Sequence, residues 1–252
     1  NSTNTVARLQ AQKSNQQIDV AIIDDGPMYQ AIALGFCEPI KGLPADDIYG
    51  TARYKDDKAV AIGIVATGIM YNKKVFDEKK WAPPTSWKDL KDPKYKKQLV
   101  VPPLNNTYGL HALVEYAREG GGSEKKIDAG FTTFKNEVGP NVLVYEPSPG
   151  KMTELFSSGQ AVISVWGSGR AKSFADTGFP VGFVYPQEGA YALLSSVCPV
   201  AKSATNPLAQ AFVQYLVTPE VQEKLASAYG YGAVNKKAKV LSLIHILRCR
   251  RA

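Results

Sequence analysis

The sequence predicts an α/β fold with mostly parallel sheets and flanking helices. Apolar runs of strand length alternate with helical patterns over most of the chain. The first such run, IDVAII at residues 18–23, is nearly continuous, which is typical of a strand buried on both faces of a parallel sheet. Near the end, Pro207 and Pro219 each stand at the start of a helical pattern, where proline is favoured.

The composition is that of a folded protein. The 252 residues are 44% hydrophobic and 21% charged. No apolar run approaches the ~20 residues that a membrane-spanning helix needs. The formal net charge is +7, and three of the positive charges belong to arginines in the last twelve residues. The lysines elsewhere are spread among acidic residues rather than forming a basic stripe with interleaved aromatics, so we expect no nucleic-acid partner.

The two ends of the chain differ from its body. Residues 241–252 read LSLIHILRCRRA, which resembles a cloning or sequencing-adaptor translation, and we interpret them as a non-native tail; a native amphipathic tail is the alternative. At the other end no initiator Met or apolar leader is visible, and a helix predicted at residues 4–14 runs directly into the first strand. We therefore expect an upstream segment to be missing.

Few side chains in the body are suited to metal or nucleophilic chemistry. Outside the tail the chain has one histidine, His111, and two cysteines, Cys37 and Cys198. We expect no zinc site, no other metal and no cofactor. A nucleophilic enzyme would have to work through His111 alone, and a hydrolase with a carboxylate pair would have to use scattered acids. We expect a protein that is not an enzyme and keep the hydrolase as an alternative.

Glycine and proline positions predict the elements of the N-terminal part. Gly26 is expected to cap a helix that begins at Pro27 and ends at Gly35, so that Asp25 stands outside this helix. Residues 59–71, AVAIGIVATGIMY, are apolar and contain two glycines. They predict one long strand, since the run is too short for a membrane helix.

The middle and C-terminal parts predict further alternating elements. Ser86 and Asp89 have the spacing of a capping box, which marks the start of a helix. The remaining strands are expected at residues 99–101, 141–145, 161–166, 183–185 and 192–200, and the remaining helices at 107–119, 127–138, 151–157, 207–217 and 219–229.

Several stretches carry a family resemblance that covers nearly the whole body. The chain resembles the periplasmic solute-binding proteins of ABC importers, in the cluster that takes up polyamines, ferric iron, thiamine and related small solutes. The most specific match is PTSWKDLKDPKYKKQL at residues 84–99. The other matching stretches are DVAIIDDGP at 19–27, ATGIMYNKKVF at 66–76, FVYPQEGA at 183–190 and TPEVQEKL at 218–225.

The resemblance implies a two-lobed periplasmic binding protein fold of type II that lacks its first strand-helix-strand unit. A small solute would be captured in the cleft between the lobes and delivered to the transmembrane subunits of an ABC permease, with no bond made or broken. We expect a periplasmic monomer. The expected divisions are residues 1–66 and 197–240 for lobe 1, 67–196 for lobe 2, and 59–72 and 188–197 for the crossings.

The first candidate ligand groups follow the first strand. Asp24 and Asp25 stand at its carboxyl end, where ligands bind in open α/β sheets, and either one is expected to meet a cationic or hydroxylated solute. The alternative is that they only favour the helix N-terminus electrostatically. Tyr29 is an aromatic candidate close to the same loop.

Other candidates stand at glycine breaks and helix starts. Thr67, beside Gly68, marks a point where a backbone can approach a ligand closely, or alternatively a bulge. Asn106 and Thr107 open a helix and are candidates to bind an anion, with ordinary capping as the alternative. Ser148 stands before the next helix in a similar way.

Five further candidates stand in or near loops. The family resemblance places the loop that contains Trp166 and Ser168 at the cleft, so that Trp166 stacks on solute or, alternatively, is a core residue. Tyr145 and Tyr191 are aromatic candidates near loops. Glu188 is expected to pair with an amine or else to face solvent.

Two departures from the family bear on the solute. Iron-binding relatives use adjacent tyrosines, and this chain has no Tyr-Tyr pair, so ferric iron is an alternative and not the first expectation. Polyamine-binding relatives place an acidic residue after the EGA turn, where this chain has Leu193, Leu194, Ser195 and Ser196. A polyamine held by Asp24, Asp25 or Glu188 and a less cationic organic solute therefore remain equally open.

The two body cysteines stand in segments that both belong to the expected first lobe. In an oxidising periplasm Cys37 and Cys198 can form a disulfide. We favour the alternative of two separate buried thiols.

Overall fold

The computed structural model describes residues 2–203 and 206–240. The expected non-native tail at 241–252 lies outside the described residues. The described chain divides into two compact units, unit 1 with residues 2–65 and 193–240 and unit 2 with residues 66–192. Within this part of the chain, none of the helices combines the length and the apolar character that crossing a membrane requires.

Helices and strands alternate along most of the chain. The helices are α1 Ser2–Ala11, α2 Asp25–Ala33, α3 Lys73–Glu78, α4 Thr107–Glu119, α5 Asp128–Thr133, α6 Pro149–Ser157, α7 Ser168–Ala175, α8 Asn206–Leu216 and α9 Pro219–Tyr229. The strands are β1 Val20–Asp24, β2 Val60–Asn72, β3 Leu99–Val101, β4 Val142–Tyr145, β5 Ile163–Gly167, β6 Val181–Val184 and β7 Tyr191–Pro199. Along the chain, β2 leads from unit 1 into unit 2 and β7 leads back.

Unit 1 contains the strand order β1-β7-β2. β1 runs antiparallel to β7, with Asp24 opposite Ser195. Burial alternates along β1, and Ile22 is 48% exposed, so the prediction of a strand buried on both faces is wrong. Residues of α1 and α2 pack with the buried face of this strand. A short apolar run does not by itself distinguish one buried face from two.

Unit 2 contains the strand order β2-β5-β3-β4, with β6 paired to β2. β3 is parallel to both of its neighbours, β4 and β5. β2 is antiparallel to β5 and to β6. The prediction of mostly parallel sheets is therefore corrected. Apolar patterns report burial, and a buried strand has the same pattern in either direction.

The start of α2 also differs from the prediction. Asp24 is the residue that precedes the helix, and Asp25 is its first residue, whereas Gly26 was expected to be the cap. Gly26 and Pro27 instead lie inside the first turn. This turn tolerates proline because its backbone N–H groups have no partner within the helix.

The remaining elements follow the predictions with local changes. The capping box of Ser86 and Asp89 is present, but it opens a 3₁₀ turn at Trp87–Lys91 rather than an α-helix. The helix expected at 127–138 is divided into α5 and a π-helical turn. α7 had not been expected, since glycines on both sides of Ser168 are typical of a loop.

Cys37 and Cys198 are joined by a disulfide in unit 1. The interpretation of two separate thiols is therefore wrong. The bond connects the segment after α2 to β7, and the isolated pairing of Cys37 with Val200 brings these two segments together. The two cysteines are 161 positions apart in sequence, so no local pattern indicates their contact.

Candidate functional site

Three helices of unit 2 begin at the same edge of its sheet. β5, β3 and β4 lie side by side and run parallel, so their carboxyl ends share one edge. α4 follows β3, α6 follows β4 and α7 follows β5 directly. Backbone N–H groups that have no partner within a helix are concentrated at its first turn, where the helix dipole is positive. This edge is therefore suited to an anionic group.

The residues that cap or open these three helices have polar, uncharged side chains. Asn106 caps α4 by accepting a hydrogen bond from the N–H of Tyr108 at 3.0 Å, and Thr107 is the first residue of the helix. Ser148 caps α6 through the N–H of Lys151 at 3.4 Å. Ser168 is the first residue of α7. The first turns of these helices contain no acidic residue in the described structure, but the carboxylate of Glu146 accepts a hydrogen bond at 2.7 Å from the N–H of Ser148 at the start of α6.

A pocket of about 130 Å³ lies between α6 and α7. Arg170, in the first turn of α7, lines it together with Pro149 and Thr153 of α6. Trp166 also lines the pocket, but it is only 3% exposed and packs in a core cluster 5.5 Å from the ring of Tyr108. The core interpretation of Trp166 accounts for this burial, and stacking of Trp166 on a solute stays a prediction.

Thr67 lies beside the same edge, opposite Gly167 of β5. Its side chain is fully buried and its Oγ1 lies 2.8 Å from Nδ1 of His111. The pairing of β2 with β5 continues through Gly68, so the bulge alternative is wrong. A Cβ on Gly68 would come within 2.5 Å of the carbonyl oxygen of Val184, which means that strand β6 is what approaches this glycine closely.

Tyr191 belongs to a buried polar network that the sequence reasoning missed. Its hydroxyl donates to Glu115 at 2.6 Å and accepts from Arg118 at 3.3 Å. Its ring stacks on His111, with the centroids 5.2 Å apart. Desolvation lowers the pKa of His111 to about 4 and raises the pKa of Tyr191. The spacing of positions 111, 115 and 118, which places them on one helix face, was the available signal.

Glu188 is engaged with backbone and side-chain donors. Its carboxylate accepts hydrogen bonds from the hydroxyl of Ser86 and from the N–H of Trp87, the latter at 3.3 Å. The N–H of the Trp87 indole donates to the carbonyl of Gly189 at 3.0 Å. Glu188 therefore stabilises the start of the 3₁₀ turn at Trp87–Lys91. These contacts differ both from the expected pairing with an amine and from the solvent-facing alternative.

The candidates of unit 1 form their own group. Asp25 is partly buried, and desolvation raises the pKa of its carboxyl group although the N–H groups of Gly26 and Leu194 donate to it. The charge of the adjacent Asp24 acts in the same direction. Tyr29 is 58% exposed, with its ring 4.9 Å from that of Tyr54. Binding of a cationic or hydroxylated solute by these carboxylates and this ring stays a prediction.

The structure thus gathers some predicted site residues and separates others. Those gathered at the shared edge of unit 2 are Thr67, Asn106, Thr107, Tyr145, Ser148 and Ser168. The side chains of Glu188 and Tyr191 instead make the hydrogen bonds within unit 2 that are described above. For the metal question, residues 2–203 and 206–240 contain no group of three or more His, Cys, Asp or Glu side chains placed to hold an ion.

Comparisons with known proteins agree on one family. Residues 1–242 match the family described as bacterial extracellular solute-binding protein. The spermidine/putrescine-binding periplasmic protein of Escherichia coli K12 is 26% identical over 177 residues, which are 70% of this chain and 49% of that protein. The chain thus spans about half the length of the curated relatives that it matches.

Solved structures agree in fold. The periplasmic binding protein AfuA from Actinobacillus pleuropneumoniae, solved with fructose-6-phosphate bound, is similar with a TM-score of 0.83 and 23% identity, over 100% of this chain and 80% of that one. The ferric binding protein from Campylobacter jejuni gives a TM-score of 0.75 and 19% identity, over 96% and 78%. The fold is that of type II periplasmic binding proteins. The chain belongs to the family of bacterial extracellular solute-binding proteins.

Proposed function

We propose that this chain is the periplasmic solute-binding component of an ABC importer and that its solute is a small organic molecule with an anionic group, such as a sugar phosphate. It captures the solute reversibly and delivers it, as a monomer, to the transmembrane subunits of a permease. No chemical step is part of this function.

The observation that carries the proposal is the shared edge where α4, α6 and α7 begin. Three positive helix ends at one edge favour an anion and disfavour a polyamine, although the carboxylate of Glu146 offsets part of the positive end of α6. Arg170 adds a cationic side chain in the first turn of α7, where the helix dipole disfavours a cation. An anionic ligand would offset both the positive charge of the helix ends and that of the Arg170 side chain. The fructose-6-phosphate held by AfuA is a solute of this class.

A polyamine is the second candidate function. Its support is the likeness to spermidine/putrescine-binding proteins and the carboxylates of Asp24 and Asp25 at the end of β1. Ferric iron has weaker support, because the chain has no adjacent pair of tyrosines and the described residues contain no group of three or more His, Cys, Asp or Glu placed to hold an ion. The hydrolase alternative is not favoured by a family of transport binding proteins.

A thermal-shift panel tests the proposal with sugar phosphates, phosphonates, organic acids, thiamine, amino acids, polyamines and Fe³⁺. A ligand at about 100 times its Kd stabilises a protein by roughly 2.7 kcal/mol, which raises Tm by several degrees. We expect a phosphorylated or carboxylated solute to raise Tm. A response to spermidine and putrescine alone would support the second candidate and contradict the first.

Two matched variants locate the site. Ser148→Asp places a carboxylate at the start of α6 and keeps a residue that caps helices well, so the fold is retained. Thr218→Asp makes the same kind of change at the start of α9 in unit 1. We expect Ser148→Asp to remove the response to the anionic solute and Thr218→Asp to leave it intact. Equal responses in both variants would place the solute elsewhere.

A further inference from the structure

Both strands that connect the units are held by one helix of unit 2. The chain enters unit 2 on β2 at Ala66 and leaves it on β7 after Ala192. Thr67 and Tyr191 are therefore each one residue from a unit boundary. Both side chains contact α4, and all of the contacts described below lie inside unit 2.

His111 touches both connecting strands at once. Its Nδ1 lies 2.8 Å from Oγ1 of Thr67 on β2. Its imidazole also stacks on the ring of Tyr191 on β7, at 5.2 Å between centroids and 23° between planes. The His111 side chain is 5% exposed. A displacement of β2 or β7 relative to α4 would therefore disrupt a buried contact of His111.

Glu115 and Arg118 continue the same helix face. Glu115, 7% exposed, accepts the hydrogen bond of the Tyr191 hydroxyl at 2.6 Å. Arg118 donates to the same hydroxyl oxygen at 3.3 Å. A buried carboxylate is costly unless it is hydrogen-bonded, so this arrangement favours a narrow range of geometries for the start of β7.

The same helix begins at the candidate solute site. Asn106 and Thr107 stand at the start of α4, and His111 follows one turn after Thr107. A regular helix moves as one piece, because its hydrogen bonds link each turn to the next. A displacement at the first turn is therefore transmitted to the face that holds β2 and β7.

We propose that His111 and Glu115 are positioning residues that hold both connecting strands to α4 and thereby set solute affinity without touching the solute. The affinity part rests on the proposed function, whereas the anchoring part does not.

Hydrogen exchange tests the anchoring in the full chain. His111→Leu removes the bond to Thr67, and His111→Gln retains an amide that can bond to it. Tyr116→Phe is the matched control, because it deletes a buried hydrogen bond on the same helix, from Tyr116 to the carbonyl of Trp87 at 3.0 Å. We expect exchange near residues 66–68 and 190–192 to rise about tenfold in His111→Leu relative to β3, but not in Tyr116→Phe. Unchanged exchange in His111→Leu would overturn the proposal.

Calorimetry with fructose 6-phosphate as the probe tests the coupling. We expect affinity to fall about fivefold or more in His111→Leu, to recover in His111→Gln and to remain unchanged in Tyr116→Phe. Increased exchange with unchanged affinity would also overturn the proposal. If the unsubstituted protein binds neither this probe nor any other member of the panel, the proposed function fails, and the exchange result alone decides the anchoring. Glu115→Gln repeats the test should His111→Leu fail to fold.

Discussion

The hydroxyl of Ser168 accepts a hydrogen bond at 3.0 Å from the backbone N–H of Ala66, the first residue of unit 2 on β2. A candidate ligand group is thus bonded directly to a connecting strand. In unit 1, the backbone of Leu194 on β7 lies close enough to the carboxylate of Asp25 to lower its pKa against the effect of burial. In each unit, a candidate ligand group thus lies against the backbone of a connecting strand.

His111 makes stability depend on pH. Its pKa is about 4 in the folded protein against 6.5 for a free side chain, so the unfolded chain takes up this proton first as pH falls. Folding stability contributed by the neutral imidazole is therefore lost between pH 6.5 and 4, by about 3 kcal/mol in total at ~1.4 kcal/mol per pKa unit. Urea unfolding at pH 7.5 and 4.5 measures the loss. The free energy of unfolding of His111→Gln should change clearly less between these two pH values. An equal change would contradict the assignment of this pH dependence to His111.

Asp25→Asn should stabilise the protein at pH 7. Burial raises the pKa of Asp25, so the folded protein holds this proton more tightly than the unfolded chain, and stability falls as pH rises above 3.8. The uncharged amide of Asn removes the cost of burying a carboxylate. The stability that Asp25→Asn gains at pH 7 should therefore vanish at acid pH, where Asp25 is protonated. Asp128→Asn is the control, since Asp128 is an exposed acid at the start of α5 and its loss should destabilise slightly. Destabilisation by Asp25→Asn at pH 7 would refute the prediction.

The disulfide between Cys37 and Cys198 should contribute about 3–5 kcal/mol, because it closes a long loop in the unfolded chain. Reductant should lower the urea midpoint of the unsubstituted protein and leave that of the Cys37→Ala/Cys198→Ala double variant unchanged. A thiol assay under denaturing, non-reducing conditions provides a second check. We expect one free thiol, from Cys249, and a count of three would contradict the bond.

Glu188→Ala should destabilise unit 2 without changing solute affinity. The carboxylate accepts the bonds from Ser86 and Trp87, and its loss should cost about 1–3 kcal/mol. Glu154→Ala, which removes an exposed ion pair with Lys151, should cost less than about 0.5 kcal/mol. Urea unfolding gives the stabilities and calorimetry gives the affinity. A loss of affinity in Glu188→Ala would return Glu188 to the list of solute ligands.

Local sequence signals predicted the elements whose ends carry strong caps. α4 lies at 107–119 as expected, because Asn106 marks its start and glycines follow its end. α9 begins at Pro219 for the same kind of reason. The start of α2 was misplaced because Gly26 and Pro27 are compatible with more than one position of the first turn. α7 was missed because Gly167 and Gly169 are equally typical of loops.

The parts of the candidate site that sequence reasoning missed depend on contacts between distant residues. Thr67 and His111 are 44 positions apart, and Ser86 and Glu188 are 102 apart. The spacing of His111, Glu115 and Arg118 places them on one face of α4, but nothing local indicates that this face contacts Tyr191 on β7. The direction of neighbouring strands could not be predicted from the sequence either. The apolar pattern of β2 reports its burial, and it would be the same beside parallel or antiparallel strands.

Isothermal titration calorimetry with fructose 6-phosphate, fructose and spermidine tests the central claim most directly. The account predicts that the phosphorylated sugar binds, that the unphosphorylated sugar binds far more weakly, and that Ser148→Asp abolishes the difference. Binding of spermidine together with indifference to the phosphate group would contradict it.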